Sequence, residues 1–197
     1  MKLLQDFYAE YPVAVATMGR VPPVTDLPSL VAIRHLLPAF FLNRIAESGR
    51  AMGDYHCYGS YCEHDRSFAK VPWVTCRERR IALDARDGFH LTLLIREDMA
   101  GCWLSLNRGS LLHRQGVSPD AALASTQDAC SRVLQLMEPP AGFVVGPIDL
   151  AASTPRGRHF EAGAAISRFY PAVLEISDAE FAADIHTLLE CYHRIPD

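Results

Sequence analysis

The densest run of residues able to do chemistry lies between positions 56 and 80. Tyr58-Gly59-Ser60-Tyr61 is followed by Phe68-Ala69-Lys70-Val71-Pro72-Trp73, and the run ends in Arg77, Arg79 and Arg80. Aromatic faces stack on nucleobases, and Arg and Lys contact phosphates. Rings interleaved with Arg66, Lys70 and the later arginines are what a protein needs to hold an extruded base. The competing reading is packing, with Trp73 and Phe68 as core residues at a sheet corner and the arginines on a solvated face. Pro72 ahead of Trp73 favours a strand start or a sheet edge, which serves either reading.

Three other groupings carry chemistry. His56-Cys57 with Cys62-x-His64 puts two thiols and two imidazoles within nine residues. That is a donor set for tetrahedral zinc, with a Cys spacing at the edge of the usual range. The alternative, and the reading adopted, is no metal, with His56 and Cys57 finishing a strand and Cys62 and His64 in a loop. Leu104-Ser105-Leu106-Asn107-Arg108-Gly109 reads as a strand end entering a turn, with Arg108 in reach of a phosphate. Thr154-Pro155-Arg156-Gly157-Arg158-His159 reads as a basic loop, with Arg156 and Arg158 able to track a nucleic-acid backbone.

The sequence has no G-x-x-x-x-G-K-[ST] phosphate loop, no G-x-G-x-x-G after a strand, no G-x-S-x-G elbow and no H-E-x-x-H. It makes no positive case for an enzyme or for a cofactor.

Short elements must position these residues. Residues 3–11 predict an amphipathic helix stopped before Pro12, and residues 12–26 a connection. Residues 27–49 have helical spacing, with Pro38 expected to kink or split the element and Gly49 to end it. From 54 to 107 the pattern turns to strands. Val71 to Cys76 is one, Phe89 to Ile95 a second, apolar enough to be buried on both faces, and Cys102 to Leu106 a third. The turn at 97–101 predicts an antiparallel hairpin between the last two. Ser118-Pro119 opens a helix to about Met137. A loop-rich stretch at 139–160 and a strand at 162–170 follow. Ser177-Asp178-Ala179-Glu180 is a capping box for a last helix. The order predicts an α+β fold: a mainly antiparallel curved sheet flanked by N- and C-terminal helices.

The chain has 197 residues, which suits one domain over 1–197. Hydrophobic residues make up 49% and charged residues 21%, as in an ordinary globular protein. No apolar run approaches the ~18–20 residues of a membrane span, and Asp6 stands where a signal peptide needs an apolar core. The expectation is a cytoplasmic protein. Six cysteines in such a chain predict free thiols, with Cys76, Cys102, Cys130 and Cys191 as small core residues. The net charge of −4 excludes a wholesale basic footprint. Its distribution is uneven, basic over 66–80 and acidic over 175–197, and seventeen Arg stand against two Lys.

Several motifs, in order, resemble the McrB-type N-terminal domain family. They are Gly59-Ser60, Val71-Pro72-Trp73-Val74, Asp87-Gly88-Phe89, Gly101 through Gly109 with its Leu-Ser-Leu-Asn-x-Gly end, Ile148-Asp149-Leu150, Phe160-Glu161-Ala162-Gly163 and a terminal helix ending near Tyr192. The similarity runs over roughly residues 3–195.

The resemblance implies a module that binds double-stranded DNA carrying a modified base, most simply 5-methylcytosine, by flipping the base into a pocket. It implies partnership with an AAA+ motor and a nuclease in the same or separate chains. Trp73 matches the tryptophan that lines the pocket, and Leu94 aligns with an apolar pocket residue. The segment Cys62–Ser67 is about two residues longer than the family pattern and lacks its glycines. That leaves Tyr61 or Phe68 as the second stacking ring. Backbone contacts fall to Arg66, Lys70, Arg77, Arg79, Arg80 and Arg108. The rival reading is a protein-interaction module of a defence system, without modified-base recognition.

Overall fold

The computed structural model describes residues 1–21, 26–63, 65–80, 88–109 and 116–195. Its centre is a six-stranded sheet with the strands β1 (Tyr55–Cys62), β2 (Phe68–Glu78), β3 (Phe89–Ile95), β4 (Gly101–Arg108), β5 (Val144–Val145) and β6 (Ala164–Pro171). Every pairing is antiparallel, in the order β1-β2-β3-β4-β6-β5. With helices before and after it, the fold is α+β.

All seven residues of β3 are buried, as a nearly continuous run of apolar and β-forming residues through the middle of a sheet requires. Its alternate side chains feed two different cores. Leu91, Leu93 and Ile95 join Val74, Cys76, Leu104 and Leu106 in the main core. Helices α1 (Lys2–Met18), α3 (Leu37–Glu47) and α6 (Asp178–Tyr192) add to it through Phe7, Tyr11, Phe41, Ile45, Phe181 and Tyr192. Leu94 points the other way, into a smaller cluster with Val71, Ile148, Leu150 and Ala164, against which Trp73, Trp103, Ala152 and Phe160 pack.

The helices follow their caps. The Ser118 hydroxyl accepts from Ala121 N at the start of α4 (Pro119–Leu136), and the Ser177 hydroxyl from Glu180 N at the start of α6. Residues 28–47 form one continuous helical run, α2 (Pro28–Val31), a π-helical turn over Ala32–Leu36, and α3, so the irregularity expected around Pro38 is a π-helical turn just before it and not a break. Pro38 lies in the first turn of α3, directly after the π-helical turn.

Four expectations fail. The first helix does not stop before Pro12 but runs through it to Met18. Tyr11 and Ala14, on either side of the proline, are both buried, and the packing outweighs the lost hydrogen bond. His56 and Cys57 open β1 rather than finish a strand, and Cys62 ends it. Residues 155–160, expected as loop, lie in helix α5 (Pro155–Ala162), capped by the Thr154 hydroxyl accepting from Gly157 N at 3.1 Å. The fourth concerns the thiols. Cys57 and Cys76 face each other directly across β1 and β2, with Cα atoms 4.1 Å apart, and are joined by a disulfide. Cys62, Cys102, Cys130 and Cys191 are free, the last three buried as expected.

Candidate nucleic-acid interface

Side chains alternate across a strand, so residues level with Trp73 on neighbouring strands share its side of the sheet. The register puts Ser60, Trp73, Leu94, Trp103 and Phe169 in one row. The next row is Tyr58, Thr75, Thr92, Ser105 and Ser167. His56 and Arg77 are paired one step further along. This is the side away from the main core.

Three rings line the edge formed by β1 and β2. His56 stacks on Tyr58 with centroids 4.8 Å apart, and Tyr58 meets Trp73 edge to face at 5.3 Å. All three are partly exposed. Arg77 Nη2 lies 3.4 Å from His56 Nδ1. Burial, then the charges of Arg77 and Arg79, hold the His56 pKa below its ordinary value. The imidazole is therefore neutral near pH 7, beside two guanidinium groups.

Leu94 is 1% exposed, level with Trp73 on one strand and Trp103 on the other. It backs the Trp73 ring and does not line an open surface. The loop over this end of the sheet is held by specific contacts. Trp103 Nε1 donates to the Asp149 carbonyl at 2.8 Å, and Glu161 Oε1 accepts from Leu150 N at 2.8 Å and Ala152 N at 3.2 Å. The Ile-Asp-Leu and aromatic-Glu segments thus brace the tryptophan from behind.

Tyr61 and Phe68 are elsewhere. They are 6% and 7% exposed, in the main core on the opposite side of the sheet. Tyr11 donates to the Tyr61 carbonyl at 3.0 Å, and Phe68 packs edge to face on the Tyr11 ring. The ring that accompanies Trp73 is Tyr58. Sequence reasoning passed over it, because its place depends on the pairing of Tyr58 with Thr75 and of Ser60 with Trp73.

The basic residues divide. Arg77 lies 3.4 Å from the His56 ring, and the charge of Arg79 also acts on it. Arg80 is exposed and ion-paired with Asp54 at 3.3 Å. At the other end of β2, Lys70 pairs with Glu97 at 3.5 Å, and Arg66 donates to the Val21 carbonyl. Arg156 pairs with Glu63 at 2.8 Å, while Arg158 is exposed on α5. Arg108 lies over the Phe89 ring, which belongs to the main core, so it is on the far side from Trp73.

The zinc donor set does not hold together. Cys57 is bonded to Cys76, and His64 lies outside the described residues. Among the described residues no group of three His, Cys, Asp or Glu is placed to hold a metal ion. Among them, too, no helix is long and apolar enough to cross a membrane.

No curated protein and no solved structure matches the chain. A family model does, that of the MrcB-like N-terminal domain, over residues 36–196. That span contains the whole sheet, the aromatic edge at Tyr58 and Trp73, and the loop that braces it. The family suggests a DNA-binding N-terminal domain of McrB-type restriction systems, and the chain belongs to it.

Proposed function

We propose that this domain binds double-stranded DNA with the side of the sheet that carries Trp73, and takes up one modified base there. Modified cytosine, such as 5-methylcytosine, is the favoured ligand. The domain acts as the specificity module of a modification-dependent restriction system in the cytoplasm. It has no catalytic step of its own and serves an AAA+ motor and a nuclease in the same or separate chains. The observation that carries the reading is the row of rings His56, Tyr58 and Trp73 beside Arg77 and Arg79, on the sheet side opposite the main core.

The energetics suit such a site. Extruding a base costs a few kcal/mol. Stacking on Trp73 returns roughly 1–3 kcal/mol. A methyl group against the indole adds about 0.8 kcal/mol. Tyr58 and Trp73 touch edge to face and leave no slot of about 7 Å, two contact distances of about 3.5 Å, between parallel rings. A flat base therefore enters by displacing Tyr58, the partly exposed ring of the edge strand.

The test is fluorescence anisotropy on short duplexes that differ in one cytosine: unmodified, 5-methyl, 5-hydroxymethyl or glucosylated. The expected result is a preference for a modified form of at least the roughly fourfold that about 0.8 kcal/mol of methyl burial supplies. Trp73→Ala should abolish it while leaving affinity for the unmodified duplex intact. Equal affinity for all four duplexes refutes modified-base recognition. No binding even at low salt would favour a protein-interaction module.

A further inference from the structure

The row of hydroxyls beneath the rings is paired except at one position. Thr92 Oγ1 donates to the Ser105 carbonyl at 3.2 Å, and Ser167 Oγ donates to Ser105 Oγ at 2.8 Å. Thr75 Oγ1 is buried with no hydrogen-bond partner among the described residues. The side chain is 4% exposed. It stands directly opposite Tyr58 on one strand and Thr92 on the other, and two residues from both Trp73 and Arg77 on the same side of β2. Tyr8, Ser29, Arg44 and His159 also carry buried side-chain atoms without a partner, and none of the four is on a strand of the sheet.

A buried hydroxyl with no partner destabilises the empty domain, and valine would fill the same shape without that cost. We infer that the Thr75 hydroxyl is the group that reads the polar edge of the base held on this surface. The inference rests on the proposed uptake of a base at Trp73 and adds a polar contact to the base once it is taken up; cytosine and 5-methylcytosine present the same edge, so the preference for the methyl group stays with the Trp73 surface. Stacking is shared by every base, because every base has a π-face. A hydroxyl both donates and accepts. It matches the adjacent amino donor and ring-nitrogen acceptor of a cytosine edge. A site with a buried polar group discriminates sharply against ligands that leave the group unpaired.

Thr75→Val and Thr75→Ser separate this role from packing. The probes are duplexes with a single 5-methylcytosine or 5-hydroxymethylcytosine, and the unmodified duplex. Thr75→Val is expected to lose about tenfold in affinity for the preferred modified duplex. Its affinity for unmodified DNA should be unchanged, and its melting temperature equal to or above that of the wild type. Thr75→Ser should restore the preference. Loss of the preference in Trp73→Ala but not in Thr75→Val overturns the role of Thr75 and leaves base uptake standing. A lower melting temperature with equal loss on all duplexes also overturns it, since that is a packing defect. If the wild-type domain prefers neither modified duplex, base uptake fails and the reading of Thr75 falls with it.

Discussion

Replacing Arg77 and Arg79 together by Gln tests which side of the sheet meets DNA. Both guanidinium groups act on His56, and Arg77 Nη2 lies 3.4 Å from its ring. They are thus on the side of Trp73. A protein that neutralises phosphates releases counterions, and each contact contributes about 0.9 to the slope of log affinity against log salt. Losing two contacts should reduce the slope by about 1.8. Between about 50 and about 200 mM salt, a fourfold range, the double variant should lose about twelvefold less affinity than the wild type. The measurement is anisotropy of an unmodified duplex across that range.

Arg108→Gln is the control. Its side chain lies over Phe89 on the side of the main core, so the slope should keep its wild-type value. An unchanged slope in the double variant, with a reduced one in Arg108→Gln, would put DNA on the opposite side and refute the proposed interface. A near-uniform loss across modified and unmodified duplexes is expected of the double variant, because phosphate contacts position the protein and carry no sequence information.

Three further outcomes can be checked directly. Asp184 is 5% exposed and accepts from the Tyr170 hydroxyl and, at 2.8 Å, from Arg168 Nη1. Asp184→Asn should cost about 1.5–3 kcal/mol, the worth of hydrogen bonds to a charged group, since Arg168 keeps its ion pair with Glu180 at 2.8 Å; an unchanged melting temperature would contradict this. His56 has its pKa lowered by burial and by Arg77 and Arg79. The unfolded chain therefore binds the proton at higher pH than the folded one, and the His56 contribution to stability is lost as pH falls below about 6.5. Phosphate beside the two arginines offsets their repulsion, so DNA affinity should rise between pH 7 and about pH 5.5. His56→Gln should flatten that rise, and an unaltered rise would assign it to another group. Finally, the denatured protein should titrate four thiols without reductant, Cys57 and Cys76 being bonded. Closing a loop over a sequence separation of 19, the bond should add about 3 kcal/mol, which reduction would remove.

What the sequence makes legible depends on how local the cause is. Strand β3 reads directly from Phe89 to Ile95, because a run so rich in apolar and β-forming residues, with only His90 and Thr92 between them, belongs in the middle of a sheet. Helices α4 and α6 read from Ser118 and Ser177, whose hydroxyls do the capping their types predict. The same signal stands at Thr154-Pro155, yet Gly157 two residues later looks like loop punctuation. The glycine is required by approach rather than by a turn. A Cβ there would come within 2.6 Å of Ala152 Cβ and 3.3 Å of Val71 Cγ2. Gly59 is similar, sitting inside β1 because a Cβ would fall 1.9 Å from the Ile33 carbonyl oxygen of the π-helical turn. Such contacts come from distant segments and leave no local trace.

The stacking partner shows the same boundary from the other side, because part of it was within reach. Phe68 and Trp73 lie five residues apart, and in one continuous strand an odd separation places two side chains on opposite faces. Beginning the strand at Val71 hides this, whereas β2 begins at Phe68. The position of Tyr58 needs more, the pairing of Tyr58 with Thr75 and of Ser60 with Trp73. Tyr-His-Cys-Tyr-Gly-Ser-Tyr-Cys has no apolar alternation to fix that register, and the pairing shifts again between Ser60 and Cys62. Its register comes instead from the whole assembly: Gly59 beneath Ile33, the Cys57–Cys76 bond, and Tyr11 holding the Tyr61 carbonyl. The rings that face DNA in the proposed function are thus set by contacts on the other side of the sheet. A substitution at Tyr11 or Gly59 should disturb base selectivity without touching the interface.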